Sequence, residues 1–209
     1  SRLSLGSHVY FLGNRAGGNN GGGAGGAIYA IGGGMNSTTR NMNLSGNTYF
    51  KGNLVSRGNS SEGGAIYCYL SSYHTLILDT GAGANAGHIA FSGNMVDVDT
   101  SDVNNIDPAT GTPNSIYLYS AQLDLKGDSN IYFDDPISSH ALGKNSLTKT
   151  GSGFVQFVGD NRLNTLNFAG ANSVDVQEGT FRVVNDAAAQ SFDATGAGNF
   201  NIAQGATLA

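Results

Sequence analysis

The sequence predicts an all-β chain wound as a right-handed parallel β-helix, with three strands per coil, about six coils and no substantial helix. Three observations carry this reading. Phe11, Phe50, Phe91 and Phe133 recur at steps of 39, 41 and 42 residues, each in a like frame: Val9-Tyr10-Phe11, Thr48-Tyr49-Phe50, Ile89-Ala90-Phe91 and Ile131-Tyr132-Phe133. A second tract keeps step, since Gly25-Gly26-Ala27-Ile28-Tyr29 returns as Gly63-Gly64-Ala65-Ile66-Tyr67 and, more loosely, as Asn114-Ser115-Ile116-Tyr117. A third does too, with Met42-Asn43-Leu44, Leu76-Ile77-Leu78 and Leu123-Asp124-Leu125. A repeat of this length marks a chain that stacks like units along one axis.

Within each tract the apolar residues alternate with period two, as in a strand, and no stretch sustains a 3.6-residue period. Three short strands per unit, joined by turns without a helical crossover, close into a coil. Like strands of successive coils then pair about 4.8 Å apart, so six coils rise on the order of 30 Å. Right-handedness follows the crossover preference of parallel strands. Beyond Phe133, strands are expected near residues 146–149, 153–158, 163–169, 173–177, 180–184, 190–194 and 199–203. Residues 1–209 thus form a single β-helix, with long-turn coils over 1–133 and shorter-turn coils over 134–209.

The same parity assigns the faces. Val9, Thr48, Ile89 and Ile131 point inward with the four phenylalanines. Ile28, Ile66 and Ile116 do so with Ala30, Cys68 and Leu118, and Met42, Leu76 and Leu123 with Leu44, Leu78 and Leu125. Each buried Phe or Leu contributes roughly 1.5 to 3 kcal/mol. The 32 glycines belong mainly at turns, because a strand glycine costs about 0.5 to 1 kcal/mol relative to alanine.

Charged residues make up 12% of the chain and hydrophobic ones 39%, a balance that folds instead of staying disordered. A net charge of −5, with ten Lys plus Arg and no basic run, argues against nucleic acid or an anionic membrane as partner. Neither an apolar run long enough to span a membrane nor a charged-then-apolar leader is present. The single cysteine, Cys68, has inward parity between Ile66 and Leu70, which reads as a buried packing thiol with no His or Asn set to activate it.

The Gly-Gly-Ala-Ile tracts (Gly25, Gly26, Ala27, Ile28; Gly63, Gly64, Ala65, Ile66) alternate with Phe-x-x-Asn at Phe11/Asn14, Phe50/Asn53 and Phe91/Asn94. This resembles the paired tetrapeptides of the chlamydial polymorphic outer-membrane proteins and related autotransporters. Leu147-Thr148-Lys149-Thr150-Gly151-Ser152-Gly153, followed by Phe157-Val158-Gly159-Asp160-Asn161, is similar to the passenger-associated repeat of type V secreted passengers. The resemblance covers most of residues 9 to 161. It implies a surface-exposed or shed passenger, secreted through its own C-terminal β-barrel and adhering to host cells or other bacteria through a surface protein or glycan. No cofactor and no enzymatic activity are expected. Departures occur where Asn114-Ser115-Ile116 replaces the third Gly-Gly-Ala-Ile, where the fourth Phe-x-x-Asn ends in Pro136, and in that no signal peptide or barrel is recognised; Gly205-Ala206-Thr207-Leu208 reads as the start of another strand, so the chain is expected to be a piece of a longer helix.

Physical roles for the tetrapeptides are available without the family. The Phe fills the core at a strand's end, and Asn14, Asn53 and Asn94 form a ladder at the turn, where Asn tolerates the left-handed conformation and bonds backbone or its neighbour. The glycines bend the chain into the next strand. Outward positions are the better binding candidates: Tyr29, Tyr67 and Tyr117 share one face, with Tyr69 and Tyr119 beside them, a column that offers aromatic contacts to sugars or a protein as well as sheet stability.

The turn from Asn94 to Asn114 is the longest and carries Asp97, Asp99, Asp102 and Asp107. Oxygen ligands at this spacing suit calcium, yet the Gly and distal Glu of a calcium hand are missing, which favours a solvated acidic loop. Lys126-Gly127-Asp128 has the form of an integrin-recognition tripeptide but falls at the turn after Leu125. The rival class is a polysaccharide-active lyase or glycoside hydrolase, which needs a carboxylate cluster with a cation or base. His8, His74, His88 and His140 share no spacing, and Lys51, Arg57, Lys126 and Lys144 are scattered. Open terminal coils also predict weak end-to-end self-association.

Overall fold

The computed structural model describes residues 3–6, 8–17, 23–31, 41–57, 62–69, 75–99, 107–140, 145–164, 172–184, 191–195 and 199–209. Leu70, His74, Asp102, Lys144 and the end of the strand expected over 163–169 lie outside them. The chain is a parallel β-helix. One sheet stacks Leu3–Leu5, Met42–Ser45, Thr75–Asp79, Gln122–Lys126, Ser146–Lys149, Asn172–Val176 and Asn199–Ile202. A second stacks Val9–Leu12, Thr48–Lys51, Ile89–Ser92, Ile131–Phe133, Phe154–Val158, Thr180–Val184 and Thr207–Leu208. The third stacks Ile28–Ile31, Ile66–Tyr69, Ile116–Leu118 and Ile137–Ser139. Asp160–Asn164 packs against the last of these and pairs with Ser191–Thr195.

The described strands make six coils and two strands of a seventh. The first three coils add a short fourth strand at one corner, where Arg15–Ala16, Leu54–Ser56 and Met95–Val98 pair. Period-two counting overlooked these strands because Arg15–Ala16 and Leu54–Ser56 are too short to alternate and Met95–Val98 opens the long turn. The long turn after Met95 doubles back, so Thr112–Pro113 pairs antiparallel with it, the one such pairing among the described residues. Among the described residues, helix is confined to two three-residue 3₁₀ turns, Gly83–Asn85 and Pro108–Thr110.

Register places like residues above one another. Phe11, Phe50, Phe91 and Phe133 stack with ring centroids 4.6, 4.7 and 5.0 Å apart, and Phe157 and Phe181 extend the column at 4.8 and 5.0 Å. Each such pair is worth about 0.5 to 1.5 kcal/mol beyond its area burial. The inward Ile, Leu and Met positions are buried as parity assigns them, and Cys68 is buried among them. Burial pushes the Cys68 thiol up, which makes it a poor nucleophile.

One core position breaks the pattern. Lys149 occupies the inward place between Leu125 and Val176 and is 1% exposed. Its Nζ donates to the carbonyls of Thr150 at 2.9 Å, Gly151 at 2.6 Å and Glu178 at 3.2 Å. The aliphatic stem therefore fills the column while the ammonium ties one turn to the next. Burial lowers its pKa to about 8, against the pull of Glu178 and Asp128. In the unfolded chain the group holds its proton up to about 10.4. Between these values the unfolded state binds more protons, so this lysine's contribution to stability rises with pH. Relative to Lys149→Met, the parent should therefore gain roughly 1 to 3 kcal/mol as pH rises from 8 to 10. Urea unfolding of both at each pH checks this, and a pH-independent difference would contradict it.

Candidate functional site

The Phe-x-x-Asn asparagines face inward at the corner and bond from coil to coil. Asn14 donates through its backbone N–H at 3.1 Å and its Nδ2 at 2.8 Å to Asn53 Oδ1. Asn53 donates in the same two ways to Asn94 Oδ1, at 3.2 and 2.8 Å, and its Nδ2 also reaches the Phe11 carbonyl. Asn53 and Asn94 are fully buried. The departure at Pro136 does not end this ladder. Asp135 takes the next rung, its Oδ2 accepting from the backbone N–H and Nδ2 of Asn94 at 2.8 and 2.7 Å, and its Oδ1 from Gly93 N–H at 2.9 Å. Burial raises the Asp135 pKa and these donors oppose it. One coil further, Asn161 Oδ1 accepts from Ile137 N–H. Asp135 and Asn161 lie two and four residues after their Phe, which hid them from a search for a fixed three-residue offset.

The Gly-Gly-Ala-Ile tracts are equally internal. Gly25 and Gly63 adopt φ of 65° and 64°. A Cβ on Gly26 would meet the Gly64 carbonyl oxygen, and one on Gly64 the Asn114 carbonyl oxygen and Met95 nitrogen. Ala27 donates to Ala65 O, and Ala65 to Ser115 O, so the tract is a backbone ladder. Ala65 and Ile66 are fully buried and Ile28 is nearly so.

The surface column is the tyrosines. Tyr29, Tyr67 and Tyr117 stack with centroids 5.1 and 5.7 Å apart and interplanar angles of 23° and 7°. Beside them Tyr69 meets Tyr119 edge-on at 4.5 Å, and Tyr119 meets His140 at 4.1 Å. The Tyr117 hydroxyl donates to Glu62, and burial together with this carboxylate raises its pKa; the same two causes push Tyr67 up to about 12. Both phenols thus stay protonated donors at neutral pH. Stacking also spends the ring faces on one another, so along most of the column only edges and hydroxyls meet solvent. Two residues of this face, Glu62 and His140, were not singled out as its members from sequence, because their positions relative to the tyrosines depend on register.

A second outward column missed from sequence runs through Tyr10 and Tyr49, stacked at 5.3 Å, and resumes at Tyr132 after Ala90. Elsewhere polar groups serve the turns. Asp107 caps the 3₁₀ turn at Ala109 N–H, Asp99 lies 3.9 Å from Arg57, and Asp97 adopts a φ of 60°. No group of three or more His, Cys, Asp or Glu suited to a metal ion occurs among the described residues. Asp128 Oδ2 accepts from Gly83 N–H and Oδ1 from the Ser152 hydroxyl, which hold its carboxyl below the usual range and clamp the Lys126-Gly127-Asp128 turn across coils. Ser129 Oγ lies 2.9 Å from His88 Nδ1 at an exposed turn, but the adjoining Asp128 carboxylate is committed to those turn contacts instead of orienting the pair.

Compared with family models, curated proteins and solved structures, the chain shows no match.

Proposed function

We propose that this chain is a surface-exposed or secreted passenger of the autotransporter type, acting in adhesion to host cells or other bacteria or as the stalk that presents an adhesive tip. The observation that carries the reading is the division of labour within each repeat. Phe, Asn and Gly of the two tetrapeptides serve the stack, whereas the tyrosines line the outside in register. A scaffold of this kind holds a rigid surface at a distance, and the tetrapeptides act by building the coil instead of touching a receptor. The location that follows is the bacterial cell surface or outer membrane, or the medium after release, and the partner is a surface protein or glycan.

Changing Tyr67, Tyr69, Tyr117 and Tyr119 together to Ser should reduce attachment to cells at least tenfold and leave the β-rich circular dichroism in place. Ladder pairs contribute only about 0.2 to 1 kcal/mol each. Undiminished attachment by the folded variant would remove this face from the proposal.

A further inference from the structure

In a ladder of stacked rings an aromatic face opens only where a rung is missing. In the outward column that starts at Tyr10 and Tyr49 the missing rung is Ala90. Tyr10 covers one face of Tyr49 at 5.3 Å and 12°, so these rings lie across the helix axis and the other face of Tyr49 turns toward the third coil. Ala90 stands in register with it there, and Tyr132 stands in register with Ala90 on the fourth coil. No ring lies on that face of Tyr49 among the described residues. The strands of Tyr49 and Tyr132 are two spacings apart, about 9.6 Å. A ring seated midway is about 4.8 Å from each of the two coils, comparable to the chain's own stacked pairs at 4.6 to 5.7 Å. The gap is therefore one ring high, and half-buried Ala90 gives it a methyl back wall.

Polar side chains border the gap on both sides. His88, two residues before Ala90, is drawn toward the fourth coil, its Nδ1 2.9 Å from Ser129 Oγ and its ring 6.2 Å from that of Tyr132. It thus edges the gap and leaves the space at Tyr49 open. Two residues after Ala90, about 6.6 Å along the strand, the outward positions of three successive coils are Lys51, Ser92 and Asp134. Lys51 and Asp134 are exposed and Ser92 is half-buried, so this rim offers a cationic donor, a hydroxyl and an anionic acceptor in one column. We infer that the gap receives one uncharged pyranose ring of a glycan, its C–H face on Tyr49 and its hydroxyls on Lys51, Ser92 and Asp134. A pyranose combines an apolar face with hydroxyls around its edge, whereas a Phe or Trp side chain of a protein would desolvate these rim groups without pairing them. An acidic sugar would meet the Asp134 carboxylate as well as Lys51, and the formal net charge of −5 opposes its approach.

This deepens the adhesion reading by naming a ligand, on a face apart from the Tyr67–Tyr117 column, and the test separates the two. Methyl hexopyranosides and neutral oligosaccharides of glucose, galactose and mannose are titrated calorimetrically into the parent and into Ala90→Tyr, which fills the gap with the missing rung. The parent should bind at least one of them, with intermolecular nuclear Overhauser effects from sugar C–H protons to the Ala90 methyl and the Tyr49 ring. Ala90→Tyr should bind it at least tenfold more weakly with an equal or higher Tm. Equal binding by folded Ala90→Tyr, binding of acidic sugars only, or no saccharide bound by the parent would each overturn the gap as a glycan site. Should Ala90→Tyr fail to fold, Tyr49→Ser removes the stacking face instead, and undiminished binding by it, or the absence of contacts to the Ala90 methyl in the parent, is decisive against the site. Cell attachment by the parent without sugar binding would leave the adhesion reading standing, and sugar binding without attachment would leave the site standing and remove that reading.

Discussion

Phe50→Ala is expected to lower the stability of the chain by about 3 to 5 kcal/mol. The ring is fully buried and stacked on both sides, at 4.6 Å from Phe11 and 4.7 Å from Phe91. Removing it deletes two aromatic contacts and leaves a cavity one coil high. The neighbours cannot collapse into it, because each is fixed by its own strand in parallel register, Phe11 to Phe50 and Phe50 to Phe91. The loss should appear as a lower urea midpoint with the slope unchanged. A midpoint equal to the parent's would mean that this column does not bear on stability.

Asn94→Leu is expected to cost as much or more, about 3 to 6 kcal/mol, although leucine is apolar and close in size. Asn94 accepts two hydrogen bonds from Asn53 and donates one to the Phe50 carbonyl and one to Asp135. Leucine leaves donors of Asn53 and the Phe50 carbonyl buried without partners, at about 1 to 3 kcal/mol each. It also strips one donor from the Asp135 carboxylate, which is 4% exposed. Two readouts separate this from simple misfolding. Amide exchange at Asn53 should speed up more than exchange in the last coils, and the penalty should shrink at low pH as Asp135 takes up a proton, because burial raises its folded pKa and loss of the Asn94 donor raises it further in the variant. A loss spread evenly over all coils, or one independent of pH, would contradict the ladder as described.

The architecture was legible because its signals are local and repeated. Alternation with period two at Thr48-Tyr49-Phe50 or Leu123-Asp124-Leu125 states which side chains face inward, and recurrence of the same frame states which strands lie above one another. Within the candidate face, Tyr29, Tyr67 and Tyr117 could be aligned by eye since Ile28, Ile66 and Ile116 precede them. Glu62, Ser138 and His140 could not be joined to them in this way. Glu62 precedes a turn, and Ile137-Ser138-Ser139-His140 lacks the Gly-Gly-Ala lead that marks Ile28–Ile31 and Ile66–Tyr69 in its sheet. The register that sets Ser138 beneath Tyr117 comes from pairing between strands more than twenty residues apart in the chain.

By itself, then, the sequence determined the parallel β-helix, its inward columns, the corner asparagines and the outward tyrosines, since each depends only on side-chain parity and a repeat. What the tertiary structure alone decided are the places where the repeat is altered. Asp135 inherits the asparagine ladder because a turn one residue shorter brings its carboxylate to the rung beneath Asn94. Lys149 enters a leucine column because three carbonyls of adjacent turns meet its ammonium. Tyr117 ends its column of tyrosines because a serine, and not a fourth tyrosine, comes into register with it on the next coil. Each of these follows from what one coil places against the next, a distance in space of about 4.8 Å that the linear chain spreads over twenty to forty residues.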